Sequence, residues 1–208
     1  MNRESEHQEL ASADLLLVRH ARPELRAGVK ASEWRLAADA EEATTALAAE
    51  VDRLLEPTGR RVTQLWSSTE PKAIGTARAL GAVWGLGVEQ LEDLGEHRRG
   101  PLPIVGDLEW RETIATLFAR PDELVLGSET ATEARLRFTA AIGEVLRFGE
   151  AGDLSAVATH ATVMTLLLAA ANGIAAMSLW GSLGMPDALF VDSRRGFRLV
   201  GRAWQRTP

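Results

Sequence analysis

Two histidines stand in matching contexts in this chain. His20 follows the apolar run 15–18 and Arg19, and His160 follows the apolar run 154–159; each is followed by an alanine. An imidazole can serve as nucleophile, proton carrier or hydrogen-bond donor to an anion. Taken singly, each reads as a helix cap or a satisfied core histidine. As a pair ending two strands they point to a shared site, because ligands of doubly wound sheets sit beyond the carboxyl ends of the strands. Around the first, Arg19-His20-Ala21-Arg22 crowds three potential cations into four residues, with no acid before Glu24. Such crowding calls for an anion, and guanidinium forks suit phosphate or carboxylate; a solvated arginine loop is the alternative. Lys72, one of two lysines in the chain, follows Ser68-Thr69-Glu70-Pro71. That is a helix start, where the dipole disfavours a cation unless an anion is shared with it. Glu96, in Leu94-Gly95-Glu96-His97-Arg98-Arg99-Gly100, is either a proton donor or a member of an exposed salt bridge.

The elements that must hold these residues follow from apolar spacing. Residues 15–18 read as a strand buried on both faces, and 62–66 and 154–159 as its companions. Helices are expected over 37–55, from 70 to about 84, around 109–119, over 130–148 with Leu136 on its apolar face, and from 161 through 171. A short strand is expected within 88–91 and a hairpin over 188–203. Residues 1–13 read as a flexible tail, and about 97–129 as an excursion from the sheet. Trp110, Leu117 and Phe118 in that excursion are either core or pocket, with their helical spacing in favour of core. The predicted class is α/β: a mainly parallel sheet flanked by helices on both faces, with an antiparallel strand near the C-terminus, in a single domain over 14–208.

Composition narrows the chemistry. The 208 residues include no Cys, so thiolate metal sites and a cysteine nucleophile are excluded, and only four His. With 23 Lys+Arg against 29 Asp+Glu, the net charge of −6 argues against nucleic acid or an anionic membrane as partner. No signal-like segment precedes residue 15, and the longest apolar stretch, 161–171, is too short to span a bilayer. A cytoplasmic location is expected. The late hairpin leaves an edge through which a homodimer could form.

The ordered motifs resemble those of the histidine phosphatase superfamily, which includes the phosphoglycerate mutases. Val18-Arg19-His20-Ala21 resembles its RHG/RHA signature. Ser67-Ser68-Thr69-Glu70-Pro71-Lys72-Ala73-Ile74-Gly75-Thr76-Ala77 is similar to its SSPLxRAxxTA segment, and 94–100 to its acid loop. Gly127-Ser128-Glu129-Thr130 stands near the place of a GES motif, and Thr159-His160-Ala161-Thr162-Val163 resembles SHGTV.

The resemblance implies a three-layer fold and hydrolysis of a small phosphorylated substrate without metal or other cofactor. His20 would be the nucleophile, with Arg19, Lys72 and His160 around the phosphoryl oxygens. Glu96 would act as proton donor, then activate water, with a pKa raised by burial and the adjacent phosphate. Arg22, Arg26, Arg98 and Thr162 would bind substrate. Lys72 stands where the family has Arg, and alanines replace the glycines after both histidines. The segment with Pro23 and Arg26 lacks the Thr and Asn typical of mutases, which favours a phosphatase. Mutase-type phosphoryl transfer, or a degenerate member that only binds a phospho-ligand, are the alternatives.

Overall fold

The computed structural model describes residues 3–26, 28–100, 106–150 and 152–203. Its strands are β1 (Leu15–Arg19), β2 (Gln64–Ser67), β3 (Glu89–Gln90), β4 (Ser155–Thr159), β5 (Asp187–Asp192) and β6 (Arg198–Ala203). Its helices are α1 (Arg3–Leu10), α2 (Ala40–Leu55), α3 (Pro71–Trp84), α4 (Asp107–Ala119), α5 (Ala131–Arg147), α6 (Ala161–Asn172) and α7 (Ala176–Ser182). The strands form one sheet in the order β3-β2-β4-β1-β5-β6. The first four run parallel, and β5 and β6 are antiparallel to their neighbours.

The continuous apolar runs make sense because both faces of the sheet are covered. Strand alternation sends Leu16, Val18, Ala156, Ala158 and Phe190 into the layer shared with α2 and α3. It sends Leu15, Leu17, Val157, Leu189 and Val191 to the other face, against Phe138, Ile142 and Val145 of α5 and Met164, Leu167 and Leu168 of α6. A third cluster joins Leu117, Ile114 and Leu126 to the partly buried Trp110 and Phe118, so the apolar stripe of α4 is core, as its spacing predicts. Residues 101–105 of the excursion lie outside the described residues.

The structure departs from the sequence reading in three places. Residues 3–10, expected within a loose tail, form α1, and Leu10 is buried against the sheet. Helix α7, unforeseen, packs Leu179 into the core. Leu136, read as part of the apolar face of α5, is 57 % exposed, because that helix already buries Ala134, Phe138, Ala141, Ile142 and Val145. Among the described residues no helix is long and apolar enough to cross a membrane.

Two helical glycines give opposite predictions. A Cβ on Gly81 of α3 would lie 2.6 Å from the Leu86 carbonyl oxygen and 3.3 Å from Leu65, whereas one on Gly143 of α5 meets nothing within 4 Å. Alanine gains about 1 kcal/mol over glycine in a helix interior, and overpacking costs about 1–3 kcal/mol. Urea unfolding should therefore show Gly81→Ala destabilised and Gly143→Ala stabilised.

Candidate active site

The register of the central strands brings the two histidines together. Arg19 lies opposite Thr159 in the parallel β1–β4 pair, and the His20 amide donates to the Thr159 carbonyl at 2.9 Å. His20 and His160 thus leave the sheet side by side, with ring centroids 5.1 Å apart and planes at 61°. The His20 Nδ1–H faces its acceptor, the Ala21 carbonyl oxygen, at 2.8 Å. That bond fixes the tautomer and leaves Nε2 as the ring's basic nitrogen. His160, wholly buried, shares a 2.8 Å hydrogen bond between Nε2 and the Ser68 hydroxyl.

Helix α3 is seated against the loop after β1. The Ala21 amide donates to the Thr76 hydroxyl at 3.0 Å, and that hydroxyl donates to the Lys72 carbonyl at 2.8 Å. Lys72 consequently points inward, 5 % exposed, its ammonium bonded to the Ala31 carbonyl at 2.6 Å and paired with the Glu70 carboxylate. Arg19 donates to the Leu183 carbonyl at 2.7 Å, while its buried Nε has no partner among the described residues. Burial lowers the Arg19 pKa to about 10, which leaves it a cation at neutral pH.

The acid loop is braced from α5. Arg137 donates to the carbonyls of Asp93 (2.7 Å), Gly95 (3.1 Å) and Glu96 (3.1 Å) and pairs with Glu129 at 2.7 Å. The Glu129 carboxylate accepts the Arg98 amide at 2.8 Å, and its carbonyl oxygen lies 2.8 Å from His97 Nε2. Gly127 allows this approach: its φ is +75°, and a Cβ there would sit 2.0 Å from the Arg98 carbonyl oxygen. Glu96 is thereby held under the site. Its carboxylate accepts the amides of His97 (2.9 Å) and Thr162 (3.3 Å) and pairs with Arg99 at 2.6 Å. Arg99 also lies over the Trp110 ring, 4.8 Å from its centroid.

The protonation states are set by burial and by these neighbours. Burial, then the neighbouring His160 and Lys72, push the His20 pKa well below its usual 6.5. Burial and Lys72 do the same for His160, so both rings are neutral at pH 7. Glu96 in the ligand-free protein lies on the other side of its usual value from the raised pKa expected of it beside a phosphate. Burial pushes its pKa up, as anticipated, but the Arg99 guanidinium and the His97 amide outweigh that and hold it at about 2. In the ligand-free protein it is a carboxylate.

Arg19, His20, Lys72, Glu96 and His160 therefore converge. Thr162 joins them through its backbone amide, its buried hydroxyl having no partner among the described residues. Arg22 and Arg26 do not join. Arg22 is exposed and paired with Asp39 at 2.5 Å, and Arg26 with Glu24 at 3.1 Å. Arg98 borders a hollow of about 300 Å³ beside the site, but its guanidinium is bonded to Asp93 at 3.2 Å. Sequence reading placed Arg99 at the pocket with Arg98, but missed its pairing with Glu96, Glu70 as a member of the site, and the Glu129–Arg137 brace. It also read Ser68 as part of a helix start, whereas its hydroxyl bonds His160. Among the described residues no three His, Asp or Glu side chains converge to hold a metal ion.

The family model described as the histidine phosphatase superfamily (branch 1) matches residues 15–188. The chain belongs to the histidine phosphatase superfamily. The superfamily takes its name from phosphatases, enzymes of the phosphoric monoester hydrolase class. No curated protein matches it. Among solved structures it resembles phosphoserine phosphatase from Entamoeba histolytica in complex with 3-phosphoglyceric acid, at a TM-score of 0.70 and 14% identity over 92% of this chain and 97% of that one. It also resembles a mycobacterial glucosyl-3-phosphoglycerate phosphatase in complex with inorganic phosphate, at 0.61 and 19% over 89% and 93%. At such identities these likenesses establish the shared three-layer fold.

The buried imidazoles predict an acid-sensitive fold. His20 and His160 have folded pKa values below 6.5, so below that pH the unfolded chain takes up protons that the folded chain refuses. Stability should therefore fall from pH 6.5 toward 5, by up to about 1.4 kcal/mol per pH unit for each such ring. Glu96, at about 2 when folded and 4.5 otherwise, adds a second loss that begins below pH 4.5. Denaturant titrations in phosphate-free buffer at pH 7, 6 and 5 should show the first slope, and His160→Asn should remove about one proton's worth of it.

Proposed function

We propose that this histidine phosphatase hydrolyses small phosphomonoesters without a metal ion, through a phosphohistidine on His20. The observation that carries this reading is the His20 ring, tied at Nδ1 to Ala21, kept neutral by its surroundings, and bordered by Arg19, Lys72 and His160. His20 Nε2 attacks phosphorus while the bond to the leaving oxygen breaks, and the leaving oxygen takes a proton from the Glu96 carboxyl. Water then attacks the phosphohistidine, the P–N bond breaks, the water's proton passes to the Glu96 carboxylate, and orthophosphate leaves. Splitting one hard displacement into two is the benefit of covalent catalysis. Fixed cations around the phosphoryl oxygens are what phosphoryl transfer chiefly asks of a protein.

The ionised state of Glu96 suits the second half of this cycle, where a base is needed. For the first half a phosphoryl dianion competes for Arg99 and places negative charge beside the carboxylate. Both effects raise its pKa. The names of the two structural relatives, a phosphoserine phosphatase and a glucosyl-3-phosphoglycerate phosphatase, are in keeping with phosphorylated metabolites as the substrate class. A second reading, a binder without turnover, draws on the pairing of Lys72 with Glu70, which engages a cation that the phosphoryl group needs.

Orthophosphate release from an aryl phosphate and from an alkyl phosphate, in excess EDTA, tests both readings. Turnover is expected for the wild type and none for His20→Ala; absence of turnover in both would favour the binder. Glu96→Gln should lower kcat/KM for the alkyl ester by about 10²–10⁴-fold. It should cost far less for the aryl ester, whose leaving group needs little protonation.

A further inference from the structure

Glu70 reads in the sequence as a helix-start acid, yet its carboxylate spans donors of the site. One oxygen accepts the Glu96 amide at 3.0 Å and lies 3.4 Å from His160 Nε2; the other pairs with the Lys72 ammonium. The side chain is 13 % exposed and borders the 300 Å³ hollow, as do Lys72 and Glu96, whereas His20 and His160 are not among the walls of that hollow. An anion passing from the hollow toward His20 therefore meets Glu70 among the walls, beside Lys72, Glu96 and Arg99. A backbone N–H and an ammonium gathered on two carboxylate oxygens, with the His160 ring close by, form the same kind of donor set that would gather on phosphoryl oxygens.

We propose that Glu70 is an internal carboxylate that occupies the anion cradle, must be displaced before a phosphoryl group can bind, and so sets how tightly the site retains orthophosphate. This rests on the phosphatase reading and adds a consequence to it. Displacement frees Lys72 and the Glu96 amide for the incoming group, and rotation of the Glu70 side chain into the bordering hollow takes its charge away from the dianion. The displacement cost falls on every phosphoryl ligand. Free orthophosphate has no other contacts with which to offset it, whereas a substrate can use its leaving group in the hollow, next to Lys30 and Arg98. Glu70 thus weakens the product and an ester by the same factor, and the ester keeps in addition what its leaving group gains in the hollow.

The test is the affinity for orthophosphate, followed by 31P NMR or calorimetry, in wild type, Glu70→Gln and Glu70→Ser, with aryl phosphate turnover measured in parallel. Either variant that folds suffices. The expected result is at least a tenfold tighter orthophosphate affinity in the variants, with product inhibition strengthened to match. Unchanged or weaker affinity in the variants, with the wild type still turning over, would overturn this inference and leave the phosphatase reading standing; Glu70 would then be a strut for Lys72 and the acid loop. No orthophosphate affinity and no turnover in any of the proteins would overturn both.

Discussion

Parallel pairing of β1 with β4 at the centre of the sheet is the constraint on which the rest of the molecule depends. Because Arg19 registers with Thr159, the next residue of each strand is a histidine at the same edge of the same sheet. A slip of one residue would turn the strand over and exchange its two apolar sets. The register is therefore held by both layers of core, since Leu15 and Leu17 pack on one face while Leu16 and Val18 pack on the other. Helix α3 is then fastened to that edge by the Thr76 hydroxyl, which accepts the Ala21 amide, and the acid loop by the Thr159 hydroxyl, which donates to the Leu94 carbonyl.

The electrostatics of the site run against the charge of the whole. A chain of net charge −6 gathers Arg19, Lys72 and Arg99 around two neutral imidazoles. Buried cations need partners, since an unpaired buried charge is costly. In the ligand-free protein the partners are Glu70 for Lys72, Glu96 for Arg99 and the Leu183 carbonyl for Arg19. Ligand binding in the proposed cycle is accordingly an exchange of anions rather than the filling of an empty positive pocket. The same exchange is what would let Glu96 change from a carboxylate to a proton donor.

Much of this was legible in the sequence, for identifiable reasons. The strands and the matched histidines were readable because a doubly buried strand has few polar residues and its end is marked by an abrupt change of composition. The five converging residues were found through motif order. What escaped depends on side-chain direction and on contacts distant in sequence. Arg22 and Arg26 carry the same charge as Arg19, but Asp39 and Glu24 hold them at the surface. Glu70 reads as a helix-start acid, and only the fold turns it toward His160. The lowered pKa of Glu96 comes from Arg99, three residues on in a loop whose path the sequence does not specify. Arg137 and Glu129 act on backbone atoms 31 to 44 residues away, a role that leaves no local pattern.

The central proposal is that the His20 ring, with Nδ1 committed to Ala21, accepts the phosphoryl group on Nε2. The most direct measurement is a rapid alkaline quench of the working enzyme, followed by mass spectrometry and two-dimensional 31P–1H NMR of the labelled peptide. The account predicts a phosphoryl group on Nε2 of His20. Labelling on Nδ1, on His160, or on no residue while orthophosphate is being released would contradict it.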